Sequence, residues 1–270
     1  FVITLGFLIF LSQGSLAKSP SENKNLPDAQ LNPIGLTPSK ECGKCHKEIY
    51  SSWENSLHAK GVDNPVFWTA YLKASFKGGE AARNKCLACH APIARLNGDF
   101  SLAYPLTHES INCDYCHTIT GIEVNDPEYF YRHTLGLSKQ GPLQDSRSPI
   151  HETRFNALFE NSQFCAGCHE YQNENGTKLI ETYSEWKAGP YPAQGKTCQS
   201  CHMKKSPGQI VDSAIAPSSR NEISAHDFAG GHSLSMRAKS LTLSIESVTA
   251  VRQKLSITVL LKNQGAGHKI

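Results

Sequence analysis

No apolar run in this 270-residue sequence is long enough to cross a membrane. The longest, Phe1 to Leu11, is about half of the roughly 20 residues that a spanning helix needs. That excludes a polytopic membrane protein and predicts no stable membrane span. A basic run is missing too. The 27 Lys and Arg are scattered among 24 Asp and Glu for a net charge of +3, so no nucleic-acid partner is expected. There is no Gly-X-Y period, and 39% hydrophobic residues are too many for a disordered chain. Methionine is almost absent, with Met203 and Met236 the two examples. Finally, no cysteine stands alone.

All ten cysteines fall into five pairs, each of the form C-x-x-C-H. They are Cys42 and Cys45 with His46, Cys86 and Cys89 with His90, Cys113 and Cys116 with His117, Cys165 and Cys168 with His169, and Cys198 and Cys201 with His202. Chance would supply on the order of 0.02 such pentads in a chain of this composition. Covalent attachment of a c-type haem needs this spacing: two thiols add to the two vinyl groups, and the next histidine meets the iron from the same face. A thioredoxin-like C-x-x-C would sit beside a βαβ pattern, which none of these does. Zinc sites would share the thiols in fours, and a disulfide framework would not require the histidines. The expected cofactor is therefore haem c, five copies, all covalent.

The chain ends carry their own expectations. Residues 1–17 resemble part of an export signal, with Ser15-Leu16-Ala17 offering small residues for cleavage. Haem c is attached outside the cytoplasm, so a periplasmic or extracellular location is expected. Residues 18–40, rich in Ser, Asn, Pro and Lys, read as a linker. Residues 41–236 form the expected pentahaem domain, and 237–270 the start of a β-rich C-terminal domain that the natural protein continues. Leu241, Leu243 and Ile245, then Leu255, Ile257, Val259 and Leu261, alternate with polar residues, which predicts a hairpin turning across Thr249–Gln253.

The expected fold class is mainly α with long irregular connections, a multihaem core plus a C-terminal β-rich segment. At one motif per 32 residues or so across 42–202, the porphyrins supply much of the buried apolar surface. Helices are predicted at Lys47–Lys60, Pro65–Lys77, Glu80–His90, Glu152–Phe164 and Thr182–Ala188. A repeat is also visible: Glu48-Ile-Tyr-Ser-Ser-Trp53 matches Glu181-Thr-Tyr-Ser-Glu-Trp186, each copy lying between two motifs, which suggests a duplicated haem-pair unit.

With five histidines proximal by position, seven remain: His58, His108, His133, His151, His226, His232 and His268. Two methionines can serve two irons at most, and Met203 adjoins a proximal histidine, so bis-histidine ligation is expected at most sites, with correspondingly low reduction potentials. His58, His151, His226, His232, His133 and His268 are the candidate distal ligands. His133 follows the aromatic run Tyr129-Phe130-Tyr131 and fits a packed core histidine equally well, while His108 is the weakest candidate. In the second repeat Tyr191 stands where the first has His58, which marks Tyr191 or His108 as distal-pocket residues if one haem is open.

Cys42–His46 followed by Trp53-x-x-Ser56-x-His58-Ala59 resembles the opening of the cytochrome c554 family. Cys86–Pro92 and Asn112–His117 resemble its second and third motifs. Ser148–Thr153, Phe164–Glu170, Thr182–Trp186, Cys198–Met203, His226–His232 and Gly265–His268 resemble larger exported multihaem cytochromes. The resemblance covers roughly 40–270. It implies stacked haems in a mainly α core, with His58 and His151 as distal ligands to neighbouring haems rather than their own. Electron transfer is the function it implies first, with redox partner proteins or copies of the chain itself in a filament as partners. The alternative is an oxidoreductase with one five-coordinate haem acting on a small nitrogen or sulfur compound. The C-x-x-C-K motif common in ammonia-forming nitrite reductases is absent.

Overall fold

The computed structural model describes residues 35–125 and 128–270; the expected signal and residues 18–34 of the expected linker lie outside them. The first motif straddles α1 (Ser39–Gly43) and the start of α2 (Lys47–Glu54). The other four lie on helices that they themselves form or end: the C-terminal end of α3 (Pro65–His90), α6 (Cys113–His117), α7 (Gln163–His169) and α9 (Cys198–His202). Between the second and third motifs come two short turns of helix, α4 (Ile93–Asn97) and α5 (Pro105–His108). Side-chain caps start α6 and α9. Asn112 accepts from the Tyr115 amide at 2.7 Å and Thr197 from the Ser200 amide at 3.3 Å, each one residue before a first cysteine.

The expected helices at 65–77 and 80–90 merge into α3 across a kink at Gly79, whose φ of 60° and ψ of −144° suit glycine alone. Thr182–Ala188 is helical as expected (α8), and 47–60 is helical only to Glu54. The expected helix at Glu152–Phe164 is not formed. Glu152–Phe155 is instead a strand in parallel register with Ser138–Gly141, and a 3₁₀ turn, Ala157–Glu160, follows. Asn156 makes the break: its side chain accepts from the Leu158 amide at 3.0 Å and starts the turn.

The connections are also less irregular than expected. Among the described residues, ten strands form five separate two-stranded sheets, four antiparallel and one parallel. The C-terminal hairpin is present as Leu241–Val251 against Lys254–Asn263, a tighter turn than expected, with Arg252 at a φ of 55°. Its apolar residues Leu243, Ile245, Leu255, Ile257 and Leu261 are exposed.

The protein core is split and small. One cluster joins Val62, Tyr71, Leu87, Ala91, Ala94 and Leu102; another joins Leu36, Ile93, Leu106, Tyr115 and Ile119. A buried carboxylate closes the loop between them. Asp99 accepts from the Ala103 and Tyr104 amides at 2.8 and 2.9 Å and from the Ser101 and Thr107 hydroxyls at 2.9 and 2.7 Å. Burial opposes its charge, but these four donors prevail and hold its carboxyl below the ordinary carboxylate value. The folded state therefore favours the ionised form, and this stabilisation is complete above the unfolded carboxylate range and lost as pH falls through the folded value. Asp99→Asn is expected to cost about 1–3 kcal/mol at neutral pH. In denaturant titrations at pH 7 and pH 3 the gap between variant and wild type should shrink at the lower pH; a constant gap would refute this account.

Candidate functional site

Four histidines from outside the motifs face four motif histidines. Ring centres lie 6.3 Å apart for His46 and His151, 6.3 Å for His169 and His58, 6.4 Å for His117 and His226, and 6.2 Å for His202 and His268. Two imidazoles bound to opposite faces of one metal, at about 2 Å a bond, have ring centres about 6.3 Å apart. The spacing is too wide for ring stacking and suits an iron between them.

The hydrogen bonds of the rings agree with that use. Nδ1 donates to a backbone carbonyl in His46 (Ile210, 2.7 Å), His117 (Gln140, 2.6 Å), His202 (Ala229, 2.6 Å), His226 (Ser224, 2.9 Å), His151 (Glu152, 3.0 Å) and His268 (Lys269, 2.7 Å). Each such bond fixes the tautomer and leaves the Nε2 lone pair for a metal. Burial lowers the pKa of His58 and His226 to about 4 and also depresses those of His117 and His169, so these imidazoles are neutral and able to ligate near neutral pH. In His58 the buried Nδ1 has no hydrogen-bond partner, and the ring packs on Phe228 at 4.1 Å. The donor set and its spacing thus fit haem, with the five cysteine pairs as the residues that can carry the thioethers.

The remaining motif histidine, His90 of the second motif, is different. It lies beside the Gly61 backbone, and its neighbouring ring is Phe67 at 4.4 Å. Among the described residues no second histidine ring pairs with it. Of the other expected distal ligands, His133 does not face a motif histidine. Its Nδ1 bonds the Thr118 hydroxyl at 2.9 Å and its ring lies against Tyr115 at 4.9 Å, the packed alternative. His232 is exposed and forms no ring pair among the described residues. His108 engages Nε2 with the Leu102 carbonyl at 2.9 Å. Tyr191 lines no open position either: its hydroxyl donates to the Gly265 carbonyl at 3.0 Å, beside the loop that carries His268. In the second repeat that loop carries the histidine whose ring faces His202.

Thiols of different motifs touch. Cys42 meets Cys113, Cys89 meets Cys168, and Cys165 meets Cys198 within side-chain hydrogen-bonding reach. The first motif thus lies beside the third, and the fourth beside both the second and the fifth. Cys116 lies close enough to Cys165 and Cys168 for its charge to act on them, which brings the third motif beside the fourth. The fourth motif is the junction.

The ten expected thioether positions are therefore not equivalent. Cys45, Cys86, Cys116 and Cys201 stand outside the three thiol pairs. Cys45 is half-buried at the break between α1 and α2, where its amide donates to the Cys42 carbonyl at 3.1 Å and its own carbonyl accepts from the Asp212 amide at 2.8 Å. Cys201 is exposed on α9, whereas the other nine cysteines are at least half-buried. The reason is positional. These are the second cysteines of the first and last motifs, and the contacts of those two motifs with their neighbours run through the first cysteines, Cys42 and Cys198.

Residues 41–118 match the family described as cytochrome c554 and c-prime. A penta-heme cytochrome c552 from Thermochromatium tepidum has a similar structure, with a TM-score of 0.62 at 25% identity over 86% of this chain. Residues 41–118 thus resemble that family, and the chain shares the fold of that penta-heme cytochrome. It spans 66% of the length of that solved protein. No curated protein matches it. Both likenesses agree with the five C-x-x-C-H motifs as sites for covalent haem c. None of the described helices is long and apolar enough to cross a membrane.

Proposed function

We propose that this protein carries electrons through five haems, four held between two histidines and one, on Cys86, Cys89 and His90, held by a single histidine. The observation that carries the reading is the set of four histidine pairs at 6.2–6.4 Å. Haem supplies a reversible one-electron iron couple, which two imidazole ligands keep at low potential. The chain supplies the rest. Carbonyls orient the imidazoles, burial keeps them neutral, and motif contacts set the order first, third, fourth, with the second and fifth branching from the fourth. Cys45 and Cys201 complete the thioether pairs of the first and last haems, and the exposure of Cys201 suits the last haem to meeting a partner protein. Export to the periplasm or the cell exterior belongs to the same proposal, as do a pentahaem domain at 41–236 and a β-rich segment from 237. Self-association would place haems of neighbouring copies in line.

A second reading rests on His90. An iron with one protein ligand has room for a small molecule, so the branch at the second motif suits a reductase or oxidase acting on a small nitrogen or sulfur compound. Pyridine haemochrome and intact mass should give five haems. Ferric EPR should show one high-spin and four low-spin centres, and cyanide, nitrite or hydroxylamine should perturb the high-spin centre alone. Fewer than five haems would overturn the motif assignment, five inert low-spin centres the second reading, and several reactive centres the four-pair reading.

A further inference from the structure

The visible repeat extends beyond its six matching residues. Ser39 stands three residues before Cys42 and its hydroxyl accepts from the Cys113 amide at 3.4 Å; Ser162 stands three before Cys165 and accepts from the Cys198 amide at 3.0 Å. The Trp53 indole donates to the Ile111 carbonyl at 2.9 Å, two residues before Cys113; the Trp186 indole donates to the Lys196 carbonyl at 3.1 Å, two before Cys198. Each second motif is capped by the residue before its first cysteine, and each pair of motifs shares a thiol contact. The first and third motifs, with α2, are therefore one copy of a two-motif unit. The fourth and fifth, with α8, are the other. The second motif is an insertion within the first copy.

One further correspondence joins the copies. Ser52 and Glu185 occupy the same place in the repeat, directly before the tryptophan. The Ser52 hydroxyl accepts from the His226 amide at 3.0 Å, and the Glu185 carboxylate accepts from the Lys269 amide, next to His268, at 2.7 Å. In each copy this position grips a segment arriving from late in the chain, whose histidine faces the second motif of that copy. Glu185 adds an ion pair to the Lys269 ammonium at 2.8 Å. Serine and glutamate share no shape or charge. What they share is an oxygen acceptor for a backbone N–H.

We propose that Ser52 and Glu185 are equivalent positioning residues, each fixing the distal histidine of the second haem in its two-haem unit. The inference rests on the reading of His226 and His268 as distal ligands. Without the grip, the histidine leaves the iron more often, and an exogenous ligand competes more easily in proportion to that population.

Carbon monoxide titration of the reduced holoprotein tests this. Ser52→Ala should raise the apparent affinity of one otherwise resistant haem for CO by about fivefold, and Glu185→Ala that of a different one, which matches the loss of a single net hydrogen bond. Ser52→Thr and Glu185→Gln keep an oxygen acceptor and should return to wild-type behaviour. His226→Ala and His268→Ala identify the two haems, since each removes the ligand outright. If neither creates a new CO-binding haem, the ligand reading fails. If both do while Ser52→Ala and Glu185→Ala leave those haems unchanged, the positioning proposal is overturned and the ligand reading stands. An alanine variant that loses haem also counts against the proposal, because a positioning residue alters one haem and leaves the haem content intact.

Discussion

His226→Ala is expected to convert the haem of Cys113, Cys116 and His117 from a closed to an open centre, raising the CO-binding haems per chain from one to two. The His226 ring stands 6.4 Å from that of His117 with 25° between their planes. Its Nδ1 is committed to the Ser224 carbonyl, so the nitrogen free to bind is Nε2. The same substitution should raise the midpoint potential of that haem by on the order of 0.1 V, a modest part of the roughly 0.8 V that axial ligands span. His133→Ala is the control. Both residues are at least half-buried and burial brings both pKa values to about 4, so depressed basicity does not distinguish them. Position does. His133 faces Tyr115 and the Thr118 hydroxyl rather than a motif histidine, and its loss should cost about 1–3 kcal/mol while leaving the haem spectra unchanged. Redox-monitored spectra and CO titration of the two variants check this. Equal behaviour would refute the assignment.

The proximal half of each candidate site was legible in the sequence because it is local: thiols and histidine lie within five residues and need one turn of helix. What the spacing could not show is that the thiols differ in setting, with Cys42 and Cys198 against other motifs while Cys45 and Cys201 stand clear of them. The distal half was not legible. His151 reaches His46, and His58 reaches His169, each from more than a hundred residues away. Counting histidines bounds how many can serve but does not say which. Hence His133 and His232 stood beside four histidines that the structure does pair. The misplaced helix at 152–164 has a similar origin. Its composition tolerates a helix, but Thr153 and Phe155 belong to a parallel pairing with 138–141 that no local pattern announces. The repeat was visible through its tyrosine and tryptophan, whereas the position before the tryptophan differs in chemical type between copies and shows its common role only through the amides it meets. Likewise, His58 and Tyr191 align in the repeat, yet one faces a motif histidine and the other braces the loop beside one.

Asp114→Ala is expected to destabilise the protein by about 3–5 kcal/mol, because it strands a buried charge. Asp114 lies between Cys113 and Cys116, and its side chain is 2% exposed. It accepts from the Lys139 ammonium at 2.7 Å and from the Thr37 amide at 2.6 Å. Removing the carboxylate leaves the ammonium, 14% exposed, with the Gly136 carbonyl as its remaining hydrogen-bond partner at 2.7 Å. An uncompensated buried charge carries most of that cost. The pair also acts on the site. Lys139 precedes Gln140, whose carbonyl accepts a hydrogen bond from His117 Nδ1, so the ion pair ties the motif to the strand that orients its own histidine. Loss of Asp114 should therefore alter the low-spin signal of the His117 haem before global unfolding, leaving the His202 haem unchanged. Replacing both partners by apolar residues, as in Asp114→Leu with Lys139→Met, should recover most of the stability without restoring the His117 signal, because nothing then ties residue 114 to the strand by charge. Denaturant titration followed at the Soret band and by EPR separates the two effects. A double variant as unstable as Asp114→Ala would show that the Thr37 contact, not the stranded charge, carries the cost.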